Sequence, residues 1–143
     1  MVRPLLPVSC LVAISLVVPV AAVELETVQA DGHRQVIVQN EFLRMTVVPE
    51  WGGRIMSLVD RALDAELVWS EGQAGGALDD RDDFTSTPFS CSTNRTADGS
   101  RVTVTLVGEA LGGFQITRTL VVRDGSPAIE QVLKIANGSQ KPR

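Results

Sequence analysis

From residue 34 onward the apolar side chains recur at every second position far more often than at every third or fourth, the spacing of half-buried strands. Val36-Ile37-Val38 and Leu43-Arg44-Met45-Thr46-Val47-Val48 are rich in β-branched residues, and Ile55 to Val59 and Leu67-Val68-Trp69 follow after turn signals. In the second half Phe89, Cys91 and Thr93 fall on one face before the turn Thr96-Ala97-Asp98-Gly99-Ser100. Val102, Val104 and Leu106 then alternate with Thr103 and Thr105, and Ile116, Leu120 and Val122 repeat the pattern. The last run, Ile129 to Ala136, sets Ile129, Leu133 and Ile135 against Glu130, Val132 and Lys134 after the turn Asp124-Gly125-Ser126-Pro127. Short alternating strands joined by Asp-Gly and Gly-Gly turns predict an all-β chain, an antiparallel β-sandwich with almost no helix.

Two segments break the alternation. Glu71 to Thr87 is a long polar stretch containing Gly75-Gly76 and Asp79-Asp80-Arg81-Asp82-Asp83, and loops of that length in compact domains are usually functional or mobile. Asn137 to Arg143 reads as a turn leaving a strand with no capping element, so the sheet is expected to end on an unpaired edge that favours self-association.

The N-terminus has a different character. Arg3 is followed by an uncharged run from Pro4 to Val20, and Val20-Ala21-Ala22 supplies the small residues read by a signal peptidase. Residues 1–22 are therefore read as a signal peptide, 23–33 as a lead-in and 34–143 as the folded domain. The run is interrupted by Pro7, Ser9 and Pro19 and is shorter than the roughly 20 residues that span a bilayer, so no stable membrane anchor is expected. Export places the product in the periplasm or outside the cell. Cys10 leaves with the leader, and Cys91 remains as a lone thiol read as a buried apolar group.

Composition narrows the partners. The 143 residues carry 13 Lys and Arg against 17 Asp and Glu, a net charge of −4. That balance lacks the positive charge with which a protein neutralises phosphates, so nucleic acid is not an expected partner.

The most specific stretch is Asn40-Glu41-Phe42-Leu43-Arg44-Met45-Thr46-Val47-Val48-Pro49-Glu50-Trp51-Gly52-Gly53-Arg54-Ile55-Met56-Ser57-Leu58-Val59-Asp60. Pro49 ends one strand, Gly52-Gly53 turns the backbone and Arg54 restores the next strand. Glu50 and Arg54 are placed to pair across an exposed turn, giving Arg54 a structural role. This stretch resembles the N-terminal signature of the galactose mutarotase-like, or aldose 1-epimerase-like, superfamily. Phe114 to Leu120 and Ile129 to Ser139 resemble later strands of that domain, with Asn137, Ser139 and Pro142 matching its closing turn.

The resemblance implies the N-terminal part of a β-supersandwich whose full-length members bind or epimerise carbohydrate. It also implies that the carboxylate base and histidine acid of such epimerases come from beyond the matched region. The single histidine, His33, stands in the turn Asp31-Gly32-His33-Arg34 and is read as a solvated turn residue rather than that acid. The resemblance implies that Asn94-Arg95 is the one pair in this region matching the sugar-contacting Asn-Arg of the epimerases, although its flanks Ser92-Thr93 and Thr96-Ala97 depart from the family's setting. The two are the candidate substrate-binding residues, with carbohydrate the expected ligand, against a surface strand-end role for Arg95.

The remaining chemistry is sparse. The Asp79–Asp83 cluster lacks the ordered ligand spacing of a calcium loop and is read as solvated. Aromatic residues are 4% of the chain, with no tyrosine, so Trp51 and Trp69 are assigned to core packing. Asn94-Arg95-Thr96 and Asn137-Gly138-Ser139 fit the N-glycosylation pattern. No phosphate-cradling glycine loop, metal-spaced His/Cys set or Ser-His-Asp order occurs, so neither cofactor, metal nor catalytic residue is assigned. The expectation is an exported carbohydrate-binding or aldose-epimerase-like domain inactive by itself. The alternative is a complete small secreted β-sandwich that binds or scaffolds without catalysis.

Overall fold

A computed structural model describes residues 22–71, 74–76, 87–110 and 113–137. Residues 1–21 of the expected signal peptide, the Asp79–Asp83 cluster and the expected closing turn beyond Asn137 lie outside the described residues. Among the described residues eleven strands run in order: β1 (Glu24–Ala30), β2 (His33–Gln39), β3 (Leu43–Val48), β4 (Arg54–Asp60), β5 (Ala65–Glu66), β6 (Ser70–Glu71), β7 (Ala74–Gly75), β8 (Ser90–Arg95), β9 (Arg101–Ala110), β10 (Phe114–Arg123) and β11 (Ile129–Asn137). One 3-10 turn, Pro49–Trp51, is the sole helical element among the described residues.

The strands form two antiparallel sheets, β1-β2-β3-β4-β5 and β11-β10-β9-β8, with β6 and β7 as a separate small hairpin. The expected all-β sandwich is what forms. Its core is the set of alternate residues that the sequence period selects. Val36 and Val38 of β2, Leu43, Met45 and Val47 of β3 and Ile55 of β4 face Val102, Val104 and Leu106 of β9 and Ile116, Leu120 and Val122 of β10. Burying such aliphatic side chains contributes about 1.5–3 kcal/mol each before chain entropy is charged against it.

Local chemistry explains the corners. Asp31 and Gly32 both take positive φ, 53° and 78°, the two-residue turn whose twist matches the flanking strands β1 and β2. After β3, Pro49 opens the 3-10 turn, and Gly52 and Gly53 follow at φ 72° and 63°. A Cβ on Gly53 would stand 3.2 Å from a Leu106 methyl and 3.3 Å from the Phe89 ring, so only glycine lets this turn sit on the core. Arg118 interrupts the apolar row of β10 and is almost fully buried. Its Nη1 donates to the carbonyls of Gly52 (3.4 Å) and Gly53 (3.2 Å), fastening one sheet to the turn of the other.

Several expectations are corrected. Residues 23–33 are no lead-in. Val23 is fully buried, its N–H donates to the Gly99 carbonyl at 2.9 Å, and β1 pairs along its whole length with β2. Leu67-Val68-Trp69 is not a strand but the link between β5 and β6, because the Glu66 carboxylate takes the Val68 N–H at 3.1 Å and bends the chain. Trp69 is not core, being 70% exposed. Arg54 lies at 1% exposure instead of on an exposed turn: its Nε donates to the Trp51 carbonyl at 2.9 Å and its Nη1 to the Gly75 carbonyl. The cover over it is the β6–β7 hairpin, which Ser70 Oγ ties to the Met56 carbonyl at 2.7 Å.

Candidate functional site

Arg95 ends β8, opposite Val102, and Asn94 precedes it opposite Thr103. Successive side chains of a pleated strand leave on opposite faces, so the two do not converge on one ligand. What does converge on Arg95 comes from the other sheet. Glu24, Leu25 and Glu26 of β1 and Ile37 and Gln39 of β2 line a hollow of about 290 Å³ with it. The Gln39 amide donates to the Glu24 carboxylate at 2.5 Å.

The turn after β8 sets where Arg95 reaches. Gly99 takes φ 71° and donates to the Thr96 carbonyl at 2.9 Å, while the Arg101 N–H bonds back to Thr96 Oγ1 at 3.0 Å. The Arg95 guanidinium lies across Gly99, with Nη2 only 2.9 Å from where a Cβ would stand. Bonds from Thr96 and from the N–H and hydroxyl of Ser100 hold the Asp98 carboxyl down at about 2.

A depressed acid supports the fold above its ordinary value of 3.8 and withdraws that support as pH falls through about 2. The turn under Arg95 is therefore expected to persist through mild acid. Carboxyl chemical shifts followed by NMR should titrate for Asp98 near 2. A midpoint at the ordinary aspartate value would show that the Thr96 and Ser100 bonds do not form in solution.

A second polar group gathers where β2 begins. His33, expected as a solvated turn residue, instead opens β2 and packs edge-on against Trp51, ring centroids 4.7 Å apart. Arg34 Nε, Glu50 Oε2 and Trp51 Nε1 are buried with no hydrogen-bond partner among the described residues. The Cys91 thiol is half-buried; burial pushes it up, the Arg34 charge draws it down and Glu50 pushes it up again. A raised, half-buried thiol fits the apolar reading of Cys91 and not a nucleophile.

Trp69 is the third feature. Its carbonyl accepts the Gly76 N–H at 2.8 Å and its ring lies so close over Gly75 that a Cβ there would come within 2.6 Å of it. One ring face is thus seated on the hairpin. Among the described residues no three His, Cys, Asp or Glu side chains gather closely enough to hold a metal ion, and no helix is long and apolar enough to cross a membrane.

Sequence reading reached Arg95 through a resemblance but missed Glu24, Glu26 and Gln39, the residues that make a hollow of it. A signal was present. Val23, Leu25 and Thr27 alternate with Glu24 and Glu26, the period-two pattern of a strand with an acidic outer face.

No protein-family model matches the chain. Its fold is similar to part of the crystal structure of a TPR-domain containing protein from Parabacteroides distasonis ATCC 8503. The TM-score is 0.58 at 18% sequence identity, over 71% of this chain and 20% of that one. The likeness is one of fold alone, and the chain spans about a fifth of that protein's length.

Proposed function

We propose that this chain is an exported carbohydrate-binding β-sandwich, the N-terminal part of a galactose mutarotase-like domain, which holds a sugar at Arg95 without interconverting its anomers. The observation that carries this reading is the hollow that joins Arg95 to Glu24, Glu26 and Gln39 across the two sheets. A sugar hydroxyl both donates and accepts. Arg95 and the Gln39 amide donate, the carboxylates accept, and Ile37 and Leu25 supply apolar wall for the C–H face.

Two carboxylates against one guanidinium leave the hollow net negative. That balance favours neutral or amino sugars over sugar acids. Ring opening by general acid–base catalysis needs an acid and a base around one sugar, and the ring of His33 is spent on Trp51 at the start of β2, away from this hollow. Export with cleavage behind Ala22 belongs to the same proposal. The mature chain would begin at Val23, whose nitrogen is already pinned to the Gly99 carbonyl.

The test is an NMR titration of the labelled chain with neutral hexoses, amino sugars and uronic acids, alongside polarimetry. Shifts at Glu24, Glu26, Gln39 and Arg95 with neutral or amino sugars are expected, and no acceleration of mutarotation. Arg95→Met should weaken binding about tenfold or more, since hydrogen bonds to charged groups contribute about 1.5–3 kcal/mol. No shift in these residues with any sugar, or tighter binding of uronic acids, would sink the reading.

A further inference from the structure

We propose that the hollow at Arg95 is the first of two adjoining subsites, and that the ligand is a chain of at least two neutral or amino-sugar rings laid along the start of β1. The inference rests on the carbohydrate reading above and adds the length of the ligand to it. A second hollow, of about 260 Å³, is lined by Ala22, Glu24, Gln39, Asn40, Glu41 and Arg61. It shares Glu24 and Gln39 with the hollow of about 290 Å³ at Arg95. Small-molecule sites run from roughly 300 to 1,000 Å³. Each hollow alone falls just short of that range, and the two joined fall inside it.

The ladder sets the direction of the chain. Glu24 and Gln39 stand opposite each other between β1 and β2, and Glu26 and Ile37 stand opposite each other two residues away, about 7 Å along the strands. The first hollow reaches back to Glu26 and Ile37, whereas the second continues past Glu24 and Gln39 into the corner that follows β2. The hydrogen-bonded pair of Gln39 and Glu24 is therefore the rib between the two. Glu24 takes the Gln39 amide on one oxygen and has acceptor sites left for sugar hydroxyls on either side.

The chemistry of the first hollow recurs in the second. Arg61, like Arg95, is a guanidinium held over a turn. Its backbone N–H donates to the Phe42 carbonyl at 2.9 Å and its Nη1 to the Asn40 carbonyl, which leaves the fork most of its donors. Asn40 does not serve the ligand with its side chain, because that amide is spent inside the corner on the backbone of Phe42, Leu43, Arg123 and Ser126. Glu41 is exposed and supplies an acceptor. Ala22 gives a methyl group, and cleavage behind it would leave that end of the hollow open. Two carboxylates again face one guanidinium, so the second hollow, like the first, disfavours a ring that carries an acid. A single sugar fills one hollow and leaves the other arginine to water.

Calorimetric and NMR titrations of the full chain test the length of the ligand, with glucose, galactose and glucosamine set against maltose, cellobiose, lactose and the dimer of glucosamine. A disaccharide should bind about tenfold more tightly than its monosaccharide, through the further hydrogen bonds to a charged group. It should shift Glu41 and Arg61 as well as Arg95. Arg61→Met should cancel that gain and leave the affinity for monosaccharide where it was, whereas Arg95→Met should weaken both. Because Arg61 also braces the Asn40 corner, Glu41→Ala provides a second variant at an exposed position, expected to lower the advantage of the disaccharide about threefold. Circular dichroism confirms that each variant is folded. Disaccharides that bind no more tightly than their monosaccharides, or whose shifts stop at Glu24 and Gln39, overturn the two-subsite proposal and leave the reading of Arg95 intact. Failure of every sugar to bind overturns that reading, and the second subsite with it.

Discussion

Replacing Asn40 with alanine is expected to cost about 4 kcal/mol of stability, a large part of what an ordinary domain possesses. The side chain is almost fully buried at the corner between β2 and β3 and uses all its hydrogen-bonding capacity. Its Oδ1 accepts from the N–H groups of Phe42 (2.9 Å) and Leu43 (3.0 Å), which shapes the corner. Its Nδ2 donates to the carbonyls of Arg123, at the end of β10, and Ser126, in the turn to β11, each at 2.7 Å. One amide thus ties the two sheets together. Alanine removes four bonds at about 0.5–1.5 kcal/mol each and strands partners out of reach of water. Chemical denaturation should show the loss as a lower midpoint at unchanged slope.

Asn40→Asp separates the two halves of this role. It keeps the acceptor but turns an oxygen toward the Arg123 and Ser126 carbonyls, so the carboxyl is favoured in its protonated, donating form and its folded pKa rises above the ordinary value of about 3.9. An acid whose folded pKa is raised contributes most when protonated in both states. The stability of this variant should therefore fall as pH climbs from about 4 toward the folded pKa and level off beyond it. A variant equally stable at all these pH values would mean that the carbonyls do not face the side chain.

Asn40 also marks the boundary of what a sequence can tell. Its identity was plain within the family-like stretch, but the carbonyls that accept from its Nδ2 lie 83 and 86 residues further on, and no local pattern announces them. Alternation over 43–48, 101–106 and 116–122 was legible because a strand buried on one face repeats every two residues. The trio Leu67-Val68-Trp69 misled for the same reason: adjacent apolar residues do not alternate, and their exposure depends on the bend made by the Glu66 carboxylate. Burial of Arg54 was out of sight because its cover, the β6–β7 hairpin, comes from a segment read as loop. The candidate site was legible by half. Arg95 was reachable by resemblance, whereas the walls that give it a ligand-sized hollow depend on which edge of one sheet meets which edge of the other.

That meeting of sheets is also what makes Leu106→Ala expensive, at about 4 kcal/mol. Leu106 is fully buried in β9, in the same core cluster as Phe89, and its methyls lie against Gly53. Large-to-small core changes of this kind cost about 2–5 kcal/mol, depending on how far the surroundings collapse into the space left. Collapse is hindered here. The facing turn has no side chain at Gly53 to move inward, and Arg118 holds its carbonyls from the sheet that carries Leu106. A double-mutant cycle with Gly53→Ala isolates the packing. Alone, Gly53→Ala combines backbone strain at φ 63° with a Cβ 3.2 Å from the Leu106 methyl. With Leu106 cut back to alanine the crowding disappears and only the strain remains. The two costs should therefore sum to about 1 kcal/mol more than the double variant loses, the coupling expected of residues in contact. Strict additivity, or a Leu106→Ala loss below about 1 kcal/mol, would show that the turn does not rest on the core as described.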